Sequence, residues 1–419
     1  MSMLTLARKS VWNRRSTAAL VVLSIALSVV LLLGVERLRT DARASFTDTL
    51  SGTDLIVGAR GSAVNLLLYS VFRIGDATNN VSWRSYLALA ARPEVAWTVP
   101  LSLGDSHRGF RVLGTEVSYF EHYRHAGGTP LRFAAGAVFD DVFDAVLGAD
   151  VARRYGYTVG DTLTLAHGAG KASFAEHADK PFVVRGILAP TGTPVDRTVH
   201  VGLRGIEAIH ADWFAGGPVP GLRLSAAEVR ARALTPKSVT AVMVGLKSKT
   251  QLFNVQRAIN EFSDEPLMAI LPALTTQQLW DLLAVGEHVL LGVAALVVVC
   301  GLLAMMTALM TGLNERRREM AILRALGARY VQIFGLVLGE ALLLTVAGIG
   351  LGLLLLQALL LLVLPLLNAR VGLSIAGWPP SWHELTLLGA VLLAGFIAGL
   401  VPALRVYRYS LADGLTIKL

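Results

Sequence analysis

The 419-residue sequence has one cysteine, Cys300. A single thiol closes no intrachain disulfide, so a disulfide framework and a Cys-cluster zinc module are both excluded. Charge is scarce as well: 16% of residues are charged, against roughly 25% in an ordinary soluble domain. No G-x-x-x-x-G-K-[ST] loop cradles phosphates and no G-x-S-x-G elbow presents a nucleophile. Ser106 and His107 are merely adjacent in sequence. The chain is therefore expected not to be an enzyme and to hold no cofactor of its own. What is abundant is apolar sequence, 54% of the residues. That excludes a disordered chain and argues against a simple soluble protein.

The apolar residues are concentrated in four runs. Thr17–Val35 is uncharged for 19 residues, Val289–Leu313 for 25 and Leu385–Leu404 for 20, while Val331–Leu367 is broken only by Glu340. A spanning helix needs about 20 mostly apolar residues, so the expected membrane helices are 17–35, 287–313, 330–367 and 385–404. The third is too long for one straight crossing at about 1.5 Å per residue. Gly348, Gly350 and Gly352 are where it is expected to bend, and Pro365 where it is expected to end. The first run also invites a signal-peptide reading, with Arg8, Lys9, Arg14 and Arg15 ahead of it and Ala42-Arg43-Ala44 behind. Its apolar part is longer than a usual h-region and charged residues precede the cleavage-like site, so it is read as a retained helix.

The net charge of +8 is unevenly placed. The segment before the first run, the 314–329 loop and the segment after the fourth run carry net charges of +4, +3 and +2, whereas 36–286 holds 25 basic and 24 acidic residues. Short Lys/Arg-rich segments stay in the cytoplasm. Both termini and 314–329 are thus expected to be cytoplasmic, with 36–286 and the short 368–384 loop on the other side. No basic patch with interleaved aromatics occurs in the large domain, so nucleic acid is not an expected partner. Residues 1–16 fit either an amphipathic segment on the inner membrane surface or a frayed basic tail. Residues 405–419 form a cytoplasmic tail.

Inside 36–286, period-2 patterning predicts strands at Thr53–Ala59, Gly109–Thr115, Thr162–Ala166, Phe182–Leu188, Thr198–Leu203, Ser238–Leu246 and Met268–Ala273. Helices are predicted at Arg84–Ala91, Ala149–Tyr155 and Gln251–Phe262. The irregular alternation indicates α+β, and Gly/Pro-rich breaks at Gly127–Pro130 and Gly216–Gly221 suggest an inserted subdomain over about 128–218. Thr275–Leu283 is expected to run as helix into the second span. The expected fold class is an α-helical membrane protein with four transmembrane helices and a large α+β periplasmic domain inserted between helices 1 and 2.

The 314–329 loop reads N-E-R-R-R-E-M-A-I-L-R-A-L-G-A-R. Met320, Leu323 and Gly327 share one side of a short helix, charges occupy the rest, and Gly327 suits a left-handed end. An apolar stripe beside paired charges suits docking into a groove on a cytoplasmic protein. E-R-R-R-E-M-A-I-L-R-A-L-G-A resembles the hallmark of the MacB/FtsX-type, or mechanotransmission, ABC transporter permeases, which include lipoprotein-release and macrolide-export permeases. V-L-G-A-D-V-A-R-R-Y-G-Y-T-V-G-D-T-L-T-L (Val146–Leu165) and F-V-V-R-G-I-L-A-P-T-G-T-P-V-D (Phe182–Asp196) resemble the family's periplasmic core domain. V-P-A-L-R-V-Y-R-Y-S-L-A-D-G-L is similar to its usual ending, apart from Ser410 where proline is common.

The resemblance implies that Glu315, Arg316, Arg317, Arg318, Glu319, Met320, Ile322, Leu323, Arg324, Leu326 and Gly327 form a coupling helix. It implies a separate cytoplasmic ABC ATPase subunit dimer that carries ATP and Mg²⁺, and a second permease chain, identical or different. It further implies a bacterial inner-membrane location and extrusion of an amphiphile such as a lipoprotein, peptide, drug or haem. A rival reading, from the cell-division branch, is a signalling protein that activates a periplasmic partner such as a cell-wall hydrolase.

Other residues carry weaker signals. Glu340 is an intramembrane acid, with pairing to a loop arginine as the plainer reading. Glu287 and His288 open the second span and read as interfacial. His122 and His125 are spaced H-x-x-H, His167 and His177 lie in a Gly/Ala-rich loop, and His200 and His210 lie near Asp212. Zinc needs three or four convergent ligands, and loop histidines are common without one, so no metal is expected, with His122, His125, His167 and His177 as the candidates. Leu66, Leu67, Leu68, Tyr69 and Phe72 form either an ordinary core helix or an apolar surface for a lipid-like substrate or partner.

Overall fold

The computed structural model describes residues 15–49, 51–168, 175–177, 179–214, 217–218, 224–315, 322, 325, 327–371 and 380–408. The chain forms two compact units, one of residues 1–42, 284–369 and 375–419, the other of 43–283 and 370–374.

The first unit holds helices long and apolar enough to cross a membrane, drawn from Arg15–Asp48, Pro272–Glu315, Tyr330–Val371 and Trp382–Arg408. Only 17% to 39% of the most apolar window of each is buried. Their apolar surface therefore faces outward, as lipid as solvent requires. The first helix outruns its uncharged stretch because its next charges are paired along the helix: Arg39 and Thr40 both donate to Glu36 Oε1 at 3.3 Å. The second begins at Pro272, where a missing N–H costs nothing, and continues unbroken through the expected start at 287.

The third helix continues past Pro365, where it is expected to end. It is unbroken through Gly348, Gly350, Gly352 and Pro365 to Val371. Gly348 and Gly352 serve packing: a Cβ on Gly348 would lie 2.6 Å from Ile25 Cβ, and one on Gly352 2.8 Å from Val29 Cβ. This is the small-xxx-small contact that lets membrane helices approach closely. Val21, Ile25, Val29 and Leu33 are buried while Leu20, Leu23 and Leu27 are exposed, so the first helix has one protein face and one lipid face. Ser28 Oγ donates to the Val297 carbonyl of the second helix at 3.1 Å.

Arg37 and Glu384 pair across the first and fourth helices. Arg37 Nε donates to Glu384 Oε1 at 2.6 Å and its second nitrogen to Oε2 at 3.2 Å, both side chains being buried. Glu384 also completes a capping box: its Oε2 accepts from Ser381 N at 3.0 Å and its own N–H donates to Ser381 Oγ at 3.2 Å.

The second unit is α+β. The main path of its 12-stranded sheet comprises β1 (Leu55–Ala59), β2 (Val95–His107), β3 (Phe110–Thr115), β4 (Phe133–Gly136), β5 (Asp144–Leu147), β6 (Phe182–Leu188), β7 (Thr198–Gly202), β8 (Ala241–Leu246) and β9 (Leu267–Ile270), in the order β9-β1-β8-β2-β3-β7-β5-β6-β4, with three short strands off it. Only β3/β7 and β5/β6 pair in parallel along this path. The uninterrupted apolar run of β1 reflects burial on both faces. Ile56 points into one core with Leu113 and Tyr119, and Leu55 and Val57 into another with Val255 and Ile259. A third core gathers Phe110, Val112, Phe143, Phe182 and Val201. It occupies much of the region read as an inserted subdomain. Because β7 pairs with β3, however, that region is part of the common sheet and lies within one compact unit. In the same unit the Arg43 guanidinium lies 5.4 Å from the centre of the Trp280 ring, and Tyr123 OH donates to the Thr49 carbonyl.

Candidate functional site

The two segments that carry the resemblance in the large domain pair as strands, Val146 opposite Gly186 and Leu163 opposite Phe182, and meet again in a tight backbone contact. A Cβ on Gly148 would fall 2.2 Å from the Val195 carbonyl oxygen and 2.4 Å from that of Asp196. Only glycine admits so close a backbone. Asp196 in turn organises the A-P-T-G-T turn: its carboxylate accepts from Thr191 N at 2.8 Å, Gly192 N at 2.8 Å and Thr191 Oγ1 at 2.9 Å. The motifs thus encode one folded junction.

A second constellation is built around β2. The short strand Ala166–His167 pairs antiparallel with β2, and the register sets His167 directly opposite Asp105. His167 Nδ1 lies 3.2 Å from Asp105 Oδ1 and 3.1 Å from His210 Nε2, and His210 Nε2 is 3.7 Å from the same carboxylate oxygen. His210 caps the helix Leu203–Ile209, and its Nδ1 faces the Ile206 carbonyl at 2.9 Å. His177 completes the group. Its ring centre is 5.1 Å from that of His210, and its Nε2 is buried without a hydrogen-bond partner. Trp213 packs against all three rings, 4.7 Å from His177 between centres.

The loop bearing His177 is fixed by a buried ion pair. Lys180 Nζ donates to Asp212 Oδ1 and Oδ2 at 2.9 and 2.8 Å, two residues beyond His210. Burial, and then the neighbouring His210, push His177 down to about 4. The hydrogen bond that His167 donates to Asp105 raises it above the ordinary histidine value, with burial opposing. Asp105 and His177 are buried, whereas the side chains of His167 and His210 are 39% and 25% exposed, so the group opens to solvent on one side.

Of the histidine candidates, then, His167 and His177 converge, and they do so with His210 and Asp105. His122 stands apart, stacked on Trp97 with ring centres 4.5 Å apart, and His125 is buried in a short strand pairing with Thr129–Pro130. His200 is buried between Tyr119 and Phe120. Asp105 was invisible to pattern reading because no strand is predicted over Val95–His107; an acid beside a serine in a weakly patterned stretch gives no signal.

The apolar-surface reading of the Leu-rich segment is corrected. Leu66, Leu67, Tyr69 and Phe72 are buried in the core with Ile56 and Met243, and Leu68 packs partly against it. The helix Ala63–Ser70 turns its apolar side to the sheet, and Tyr69 OH donates to the Thr240 carbonyl. Most of the proposed coupling helix lies outside the described residues. Within them, Glu315 ends the second membrane helix, Ile322 is 50% exposed and Gly327 has φ +96°, the left-handed conformation expected for it. Glu340 lines a small pocket with Thr17, Val21, Leu309 and Leu313 inside the membrane unit.

The comparisons with known proteins agree with this architecture. Residues 18–262 match the family model of the MacB-like periplasmic core domain, and residues 291–411 that of the FtsX-like permease C-terminal region. Among solved structures, the chain is similar to the periplasmic region of MacB from Actinobacillus actinomycetemcomitans, with 10% identity, 55% of this chain and 94% of that chain covered, and a TM-score of 0.35. It is also similar to the extracellular domain of the noncanonic ABC-type transporter YknZ from Gram-positive bacteria, with 13% identity, 52% and 98% covered, and a TM-score of 0.30. No curated protein matches the chain. The first family match alone covers more than half of the sequence, and the protein therefore belongs to the MacB/FtsX family of ABC transporter permeases, as a multi-pass membrane protein with an α+β domain between its first two membrane helices.

Proposed function

We propose that the chain is the permease subunit of an ABC transporter in which a separate cytoplasmic ATPase dimer, carrying ATP and Mg²⁺, docks on the 314–329 segment of each of two permease chains. The observation that carries this reading is positional. The FtsX-like match at 291–411 brackets the arginine-rich 314–329 segment between the second and third membrane helices. The positive-inside distribution supports both termini in the cytoplasm and 36–286 in the periplasm of a bacterial inner membrane.

In this mechanism, ATPase closure shifts the first and second membrane helices. Arg43 on Trp280 joins the far ends of those two helices to each other, and Tyr123 OH donates to the Thr49 carbonyl just beyond the first helix; motion of the helix ends would pass from there to the partners of the large domain. The work done is extraction or extrusion of an amphiphile such as a lipoprotein, peptide, drug or haem. That substrate class rests on the family resemblance alone, because the Leu-rich segment is core.

The test is reconstitution of the permease with its ATPase in vesicles. Lipoproteins or amphiphiles should stimulate ATP hydrolysis and be extracted. Activation of a cell-wall hydrolase with no extraction would replace transport by signalling. The charge reversal Arg317→Glu with Arg318→Glu should abolish co-purification of the ATPase, and undiminished co-purification would remove the docking assignment.

A further inference from the structure

We propose that Asp105, His167, His177 and His210 form a binding site for a divalent d-block cation, with Zn²⁺ as the ion it suits best. The site is independent of the permease reading: it needs only the folded large domain.

The donor set comes first. Each of the four residues offers one ligand atom, and all four atoms lie within 4.8 Å of one another. Three imidazoles and one carboxylate are a zinc-type set, and a tetrahedral Zn²⁺ at about 2.0–2.1 Å per bond holds its donors about 3.3 Å apart. Three of the donor atoms are already spaced that way, at 3.1, 3.2 and 3.7 Å. The absence of sulfur in the set disfavours Cu(I), and the three imidazoles disfavour Mg²⁺ and Ca²⁺, which take oxygen ligands.

The second argument is hydrogen-bond accounting. His210 Nδ1 faces the Ile206 carbonyl, so the proton belongs on Nδ1 and the lone pair of Nε2 points into the group. A ligating histidine is usually oriented by such a carbonyl. His167 Nδ1 then faces two acceptors at once, Asp105 Oδ1 and His210 Nε2. A single cationic centre satisfies both. His177 Nε2 is an unpartnered polar atom on a side chain only 1% exposed. A buried orphan of this kind is rare in folded proteins and calls for a ligand. Lys180, a cation near it, is committed to Asp212 and Asp179, so it leaves the carboxylate of Asp105 to the group.

The third argument is support. Asp105 sits on β2, the longest strand of the sheet, and His167 is held opposite it by ladder register. The Lys180–Asp212 pair joins the His177 loop to the segment after His210. Ligands from separated stretches of chain are thus preset, and the ion would clip them together.

The full-length permease, purified in detergent and stripped with EDTA, is titrated with Zn²⁺ against a chromogenic chelator. One Zn²⁺ per chain is expected, with a rise in melting temperature, since a ligand bound only by the folded state stabilises it. His177→Ala and His210→Ala should each weaken binding by at least about 100-fold, because loss of even an outer-shell partner costs 10- to 100-fold. His122→Ala should bind as the parent does. Melting of each variant in EDTA separates lost binding from lost folding. Cu²⁺ should quench Trp213 fluorescence, and Trp213→Phe should remove that quenching while keeping Zn²⁺ affinity. The proposal is overturned if the parent takes up no stoichiometric Zn²⁺, or if a folded His177→Ala/His210→Ala double variant binds it with parental affinity.

Discussion

Arg37 makes a two-pronged, buried hydrogen-bonded pair with Glu384, and the same carboxylate closes the first turn of the fourth membrane helix. Glu384→Ala should therefore be costly twice over. It leaves a buried guanidinium without its partner, about 3–5 kcal/mol, and removes half of a capping box. Melting of the detergent-solubilised protein should drop for Glu384→Ala and for Arg37→Met. The Arg37→Met/Glu384→Met pair should recover part of the loss, because no buried charge remains unpaired. A double variant worse than both singles would deny the pairing.

The glycine contact between the third and first membrane helices makes a position-specific prediction. Gly348→Leu and Gly352→Leu should destabilise the membrane unit, since their Cβ atoms would enter Ile25 and Val29. Gly350→Leu should be tolerated because nothing lies within 4 Å of a Cβ there. Equal melting temperatures for all three would dismiss the close approach.

At the junction of the two domain motifs, Gly148→Ala is expected to cost about 3 kcal/mol, the upper range for overpacking. The obstruction is backbone, which cannot rotate away. Asp196→Ala should cost a comparable amount by leaving the Thr191 and Gly192 N–H groups without their acceptor. Denaturant unfolding of the full chain, followed by domain tryptophans, measures both, and neither should disturb the helices of the membrane unit.

His200 gives the large domain an acid sensitivity. Its imidazole is buried, accepts no solvent and is pushed from 6.5 to about 3 by burial first and Arg73 second. Below pH 6.5 the unfolded chain takes up a proton that the folded chain refuses, so stability falls by about 1.4 kcal/mol per pH unit until near pH 3. Above pH 6.5 the effect is absent. His200→Phe should flatten this part of the melting-temperature profile relative to the parent. Parallel profiles would mean that His200 does not titrate as described.

The large features of the fold were legible because they depend on composition and period. The four apolar runs give the membrane helices, and Phe182–Leu188 and Ala149–Tyr155 appear at the residues the pattern indicates. Val95–His107 was not legible. Pro100 and Gly104 interrupt its pattern, and a strand in mid-sheet is selected by its neighbours β3 and β8 instead of by alternation. The same gap hid Asp105. His167 and His177 could be named from type alone, but their convergence with His210 depends on a ladder register and on Lys180 reaching Asp212. The packing role of Gly348 and Gly352 was not legible, because only the partner helix shows that they make room for Ile25 and Val29.

The first membrane helix meets the second and third at one level, through Ser28 and through Ile25 and Val29, and the fourth about two turns further on, through Arg37. It is keyed to three neighbours at once, so it cannot slide or rotate alone without breaking a contact to each. A shift of the first and second helices would therefore reach the third through Gly348 and Gly352 and the fourth through Glu384.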